Sequence, residues 1–258
     1  HGGGPAPCVE GSVAPVKDWF YGFFMAWGMF LALPCPLKIW NEKARSKMIC
    51  CLPLVGFVVG VVWVLAAYAG RFLPRSVAGL LIAAAPWLVT GFLHLDGFMD
   101  VCDAVLSRRD LPRRQEILKD SHCGAFAVIG MVLLALSQWS VAMAGERVPL
   151  LPLLVIPVAS RACAALAVLT LRPMTTSQYA AMAGRKAPYV AFAAFVMAAA
   201  AVVPLALWGS LAPLAAAVGY WLAVWYADRQ LGGMSGDVSG FALTLGELCG
   251  LAVLTLVR

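Results

Sequence analysis

The sequence predicts an all-α fold, a polytopic integral membrane bundle of about seven to eight transmembrane segments. Three observations carry this. Of 258 residues, 62% are hydrophobic and 12% charged, with a mean hydropathy of +0.85, against about 25% charged residues in a soluble domain. The apolar residues fall in segments that mostly approach the ~20 residues needed to cross a bilayer. The cationic residues collect in a few connections between those segments, as the positive-inside rule expects of a multi-pass protein.

Eight apolar segments can be drawn, near 19–36, 50–69, 77–95, 124–144, 148–170, 188–208, 209–227 and 240–257. The first is short and ends in Pro34-Cys35-Pro36, so it reads either as a span or as an interfacial or re-entrant piece. The sixth and seventh are separated only by Gly209-Ser210. Loops 37–49, 96–123, 171–187 and 228–239 share one side under this reading and hold 13 Lys and Arg, among them Arg172, Arg185, Lys186 and Arg229. The other side holds five: Lys17, Arg71, Arg75, Arg147 and Arg258. That bias predicts that the 96–123 loop is cytoplasmic. Within it, Asp110-Leu111-Pro112 resembles a helix start, with a capping Asp and Pro in the first turn. Arg113, Arg114 and Lys119 beside Ile117 and Leu118 suggest a short helix on the membrane surface. The eight cysteines form no C-x-x-C pair, which points away from a zinc cage or redox motif. The start, His1-Gly2-Gly3-Gly4, looks like a tag remnant. Residues 1–16 are read as that remnant and a flexible N-terminus, and 17–258 as one membrane-embedded catalytic domain.

The most informative stretch is His94-Leu95-Asp96-Gly97-Phe98-Met99-Asp100-Val101-Cys102-Asp103. On a helix, Asp96, Asp100 and Asp103 fall within an arc of about 60°. Three carboxylates on one face repel unless a cation lies between them. Two other features are unusual for a membrane interior. Arg161, next to Ser160, falls mid-segment, where a charge is costly and reads as either functional or part of a buried ion pair. Gly232-Gly233-Met234-Ser235-Gly236-Asp237-Val238-Ser239-Gly240 allows close backbone approach and an anion nest, or is simply a flexible connection.

Clustered aspartates with arginines and a Gly-rich turn suit a divalent cation gripping phosphates, because Mg²⁺ takes oxygen ligands and leaves positions for substrate. A cation-coupled transporter could use the same aspartates. Its carboxylates would be expected near mid-span, whereas these stand at a span end.

The pattern resembles the cobalamin synthase family of adenosylcobinamide-GDP ribazoletransferases. The residues that carry the resemblance are His94-Leu95-Asp96-Gly97 with Asp100 and Asp103, then Glu116-Ile117-Leu118-Lys119-Asp120-Ser121 and Gly124. Leu52-Pro53-Leu54-Val55-Gly56 with Gly60, Ser160-Arg161, and the 232–240 block followed by Glu247 agree with it. The sequence departs from the family pattern at Met99, at His122 where an Arg is typical, at Ser235 where a Thr is typical, and at Phe126-Ala127. The resemblance covers about 30–255.

It implies a membrane phosphotransferase that joins adenosylcobinamide-GDP to α-ribazole, or its 5′-phosphate, and releases GMP. It also implies Mg²⁺ and a bacterial inner membrane with the site facing the cytoplasm. On this basis Asp96, Asp100, Asp103 and Asp237 are the expected metal ligands, and the same four with Asp120 the catalytic carboxylates, one of them the base. Lys119, Arg161 and Arg113 are expected to contact phosphates. His94, Ser160, Gly233, Ser235 and Gly236 complete the expected substrate site. The lipid bilayer is the expected environment, no nucleic-acid partner is expected, and a homo-oligomer is left open. A CDP-alcohol phosphotransferase is the nearest alternative enzyme, but its Asp-Gly-x-x-Ala-Arg run is absent here.

Overall fold

The computed structural model of the chain describes residues 15–145, 148–174 and 187–257. The His1–Gly4 start, Cys8, Arg147, Arg185, Lys186 and Arg258 lie outside them. Eleven α-helices occur among the described residues, with no strand. They are α1 (Pro15–Phe30), α2 (Arg45–Cys50), α3 (Leu52–Gly70), α4 (Arg75–Val89), α5 (Leu93–Leu106), α6 (Leu111–Ile117), α7 (Ala125–Ala144), α8 (Leu150–Thr170), α9 (Ala187–Trp208), α10 (Ala212–Leu231) and α11 (Gly236–Leu256).

Among the described residues, five helical runs are long and apolar enough to cross a membrane: Arg45–Gly70, α7, α8, α9 and α11. A sixth is counted if α4 and α5 together make one span, although they are bent by 93° to each other. The structure thus bears out an all-helical, multi-span chain, with fewer qualifying spans than the eight segments drawn. The first segment is only the 16-residue α1. The seventh becomes α10, which carries Asp228 and Arg229 in its last turn. The soft boundary at Gly209 is a sharp turn, with Gly209 at φ 64°.

Helix packing explains several of the small residues. Gly56 and Gly60 stand one turn apart on α3 and face α8. A Cβ on Gly56 would strike the carbonyl of Pro157, and one on Gly60 that of Leu154. This small-xxx-small pattern lets two backbones approach where lipid supplies no hydrophobic drive. Pro86, inside α4, cannot donate to the carbonyl four residues back. That carbonyl, on Ile82, accepts instead from the buried indole of Trp63 at 2.7 Å. Gln138 similarly reaches the carbonyl of Ala83 at 3.0 Å.

The 96–123 stretch differs from the expected loop. Residues 96–106 belong to α5, which packs against α11 and α7, so the aspartates stand on a helix embedded in the bundle. Only α6 and short links on either side of it remain of the loop. Asp110 occupies the cap position of α6, but its side chain makes no cap bond. The helix is held from its other face. Arg114 donates to the backbone and side-chain oxygens of Gln230, and Gln115 to the carbonyl of Leu231 at 2.8 Å. These bonds satisfy carbonyls that the end of α10 leaves without helical partners.

Candidate functional site: the crossing of α5, α8 and α11

The site begins with a turn. Gly91 and Phe92 both take positive φ, 59° and 62°, and reverse the chain from α4 into α5. A bulky residue such as Phe92 rarely adopts this conformation. The turn places His94 and Asp96 in the first turn of α5, directed toward α11.

At the start of α11 the Gly-rich block is an ordered structure. Gly232 ends α10 in the left-handed region at φ 78°, and Gly233 follows at φ 156°. Backbone bonds from Met234 to Arg172 and from Met174 to Met234, each 2.9 Å, pin the loop. A Cβ on Gly233 would crowd the backbone of Met174 at 2.9 Å, so this glycine serves packing. The Ser235 hydroxyl accepts from the Val238 amide at 3.2 Å and caps α11. Asp237 then lies in the first turn, where a carboxylate complements the helix dipole.

Two glycines set how closely α5 and α11 cross. A Cβ on Gly97 would meet the Cα of Asp237 at 2.8 Å, and one on Gly240 the backbone oxygen of His94 at 3.0 Å. This contact accounts for the glycine that follows Asp96. Farther along α5, Gly124 leaves room for the Asp103 carboxylate, into which any Cβ there would run.

The resulting electrostatics are one-sided. Asp100 is within electrostatic reach of Asp96, Asp237 and Asp103, and Asp237 is within reach of Asp96. Among the described residues no Lys, Arg or His forms an ion pair with any of these four. An oxygen-only donor set with uncompensated negative charge fits a hard divalent cation such as Mg²⁺. It does not form a closed cage, since no three His, Cys, Asp or Glu side chains among the described residues are already grouped to hold an ion. Such a site depends on oxygens from substrate, the usual arrangement for Mg²⁺ on phosphates.

His94, Asp96, Arg161, Gly236, Asp237 and Ser239 line one cavity of about 180 Å³, whose other walls are apolar. Arg161 is 2% exposed and Glu247 4%, and the two form a buried ion pair. Ser160 donates to Glu247 at 3.2 Å. The structure thus places Arg161 both in a buried ion pair and in the cavity lining. Sequence reasoning saw Glu247 only as the tail of the C-terminal motif. Its one available signal was a lone acid mid-segment. The Nε and Nη2 of Arg161 and the Nε2 of His94 are buried without a hydrogen-bond partner. The His94 ring lies beside Phe30 at 6.4 Å between centroids.

The remaining expected residues stand apart from this cavity. Arg113 pairs with Glu116 at 2.6 Å, and Lys119 is exposed. Asp120 accepts from the His122 ring at 2.6 Å and from its amide at 3.0 Å. Those bonds hold its carboxyl below the usual carboxylate range, which makes it a weak base near neutral pH.

Comparison with known proteins identifies the family. The family model of cobalamin-5-phosphate synthase matches residues 22–255. A protein of Clostridium botulinum (strain Alaska E43 / Type E3) named adenosylcobinamide-GDP ribazoletransferase is 35% identical, with 92% of this chain and 97% of the relative covered. Proteins of the same name from Clostridium perfringens (strain 13 / Type A) and from Halalkalibacterium halodurans are each 32% identical, over 94% and 90% of this chain and 100% and 94% of their own lengths. No solved structure matches. The chain belongs to the cobalamin-5-phosphate synthase family.

Proposed function

We propose that this chain is a Mg²⁺-dependent adenosylcobinamide-GDP ribazoletransferase, acting in cobalamin biosynthesis from a multi-pass position in a bacterial inner membrane. The observation that carries the reading is the crossing of α5 and α11, where Asp96 and Asp237 line a cavity and Asp100, within electrostatic reach of both and of Asp103, has no cationic partner among the described residues. Family membership points the same way.

In this reading a ribose hydroxyl of α-ribazole, or of its 5′-phosphate, attacks the cobinamide-side phosphorus of the pyrophosphate. A new O–P bond forms, the bond to the GMP oxygen breaks, and the hydroxyl proton passes to a carboxylate. Asp96 or Asp237 is the base best placed, since both border the cavity. Asp96, Asp100, Asp103 and Asp237 are the residues that would hold the metal, sharing it with substrate oxygens. The bound ion supplies neutralisation of charge on the transferring phosphoryl group. Asp96 is exposed, as access for a bulky corrinoid requires, whereas Lys119 and Arg113 stand exposed on or beside α6 and apart from the cavity. The finer topology, seven to eight spans with α6 on the cytoplasmic membrane surface, belongs to the same proposal.

The test is GMP release from adenosylcobinamide-GDP and α-ribazole by the full chain in lipid vesicles. Release with Mg²⁺, its loss with a chelator, and a fall of at least about 10²-fold in Asp100→Asn are expected. No release from folded protein would overturn the reaction. Full activity of Asp100→Asn would overturn the metal assignment.

A further inference from the structure

The geometry points to the cavity between α3, α5, α8 and α11 as the pocket for the aromatic base of the acceptor, leaving the nucleotide and the corrinoid outside; this rests on the transferase reading above. Four observations converge.

The first is size. The cavity holds about 180 Å³, and an apolar cavity of about 150 Å³ is enough to take up benzene. A cavity of this size admits a flat aromatic group, at least its six-membered ring, and excludes a corrin ring. The pocket follows α11 from Asp237 to Leu243, six residues or roughly 9 Å at 1.5 Å per residue. That is close to the length of a fused bicyclic ring.

The second is wall chemistry. Phe30, Leu52, Val55, Ala164, Val168 and Leu243 supply a carbon surface. Ribazole is the riboside of a dimethylated benzimidazole. Its base is almost all carbon and keeps a single ring-nitrogen lone pair. Guanine carries donors and acceptors along most of its edge, and burying these without partners is costly.

The third is the unpartnered donors. Arg161 stands at i, with Ala164 and Val168 at i+3 and i+7 on the same face of α8. Its Nη1 is engaged by Glu247 and the Pro157 carbonyl, while Nε and Nη2 have no partner. His94 lines the same cavity, and its buried Nε2 also has no partner. Buried donors want acceptors, and the lone ring nitrogen is one.

The fourth is charge. Glu247 already neutralises Arg161, and the nearest other charges lining the cavity are Asp96 and Asp237. In the transferase reading phosphate oxygens belong with a metal at the Asp96 and Asp237 end of the cavity, and Arg161, whose charge Glu247 already balances, suits a neutral acceptor. With the base seated, the ribose emerges between Asp96 and Asp237, where a hydroxyl must lose its proton.

The experiment uses the full chain in vesicles with GMP release as readout. Dimethylbenzimidazole alone is expected to inhibit competitively against α-ribazole and not against adenosylcobinamide-GDP. Val168→Phe, which fills the pocket, is expected to raise the KM for α-ribazole at least about tenfold, with the KM for adenosylcobinamide-GDP within about twofold. Competition with adenosylcobinamide-GDP, or absence of inhibition by the free base, overturns the assignment. So does an active Val168→Phe with an unchanged ribazole KM. If that variant fails to fold, the competition result with unaltered protein decides. Absence of turnover by the unaltered protein would remove the transferase reading itself, whereas turnover without competition removes only the pocket.

Discussion

Arg161 and Glu247 are the pair on which the interior depends. Each is a buried charge that only the other compensates, with Ser160 and the Pro157 carbonyl completing the cluster. Removing one partner of such a pair costs about 3–5 kcal/mol, because the other is left charged and buried. Arg161→Ala is therefore expected to lower thermal stability in detergent sharply. The double change Arg161→Met with Glu247→Leu should recover much of that stability, because apolar replacement of a whole buried pair is often tolerated. It should not restore the affinity for α-ribazole. Recovery of both would make the pair purely structural. The sequence marked Arg161 through its cost at mid-segment. The identity of its partner, 86 residues away, follows no periodicity and needed the packing of α8 against α11.

At the scale of elements, glycines decide which helices meet. Gly97 and Gly240 bring α5 and α11 into backbone contact, and Gly56 and Gly60 do the same for α3 and α8. Gly97→Leu leaves every carboxylate in the chain. It is nonetheless expected to abolish turnover and to cost about 1–3 kcal/mol by overpacking, with Gly97→Ala milder. Normal activity in Gly97→Leu would mean that the crossing does not set the site. The spacing of Asp96, Asp100 and Asp103 was legible because one helix carries all three. The addition of Asp237 was visible only as a motif. Its physical cause is a close helix crossing, which hydrophobic patterning does not encode. The same limit explains Ser235 and Gly233. The Gly-rich block read as a ligand nest or a flexible connection, and its Ser proves to be a helix cap and one of its glycines a packing contact.

For the whole molecule, loop charge gives a directional expectation. With the 96–123 side cytoplasmic, exposed Cys123 should react with an impermeant thiol reagent in inside-out vesicles and stay protected in right-side-out ones, in a variant keeping only that cysteine. Labelling in right-side-out vesicles would reverse the orientation. Composition and hydropathy by themselves determined an all-helical chain with several membrane spans, because burying backbone in lipid leaves few other choices. The aspartate spacing and the mid-segment Arg by themselves marked the residues on which the proposal rests, because uncompensated charge in so apolar a chain is costly enough to stand out. Only the tertiary structure decided that α4 and α5 bend apart by 93°, that the aspartates ride on a packed helix, and that Arg161, which lines a cavity, pairs directly with Glu247. Those outcomes depend on close contacts between distant segments, and such contacts are set by shape at the crossing, which no local pattern of residues records.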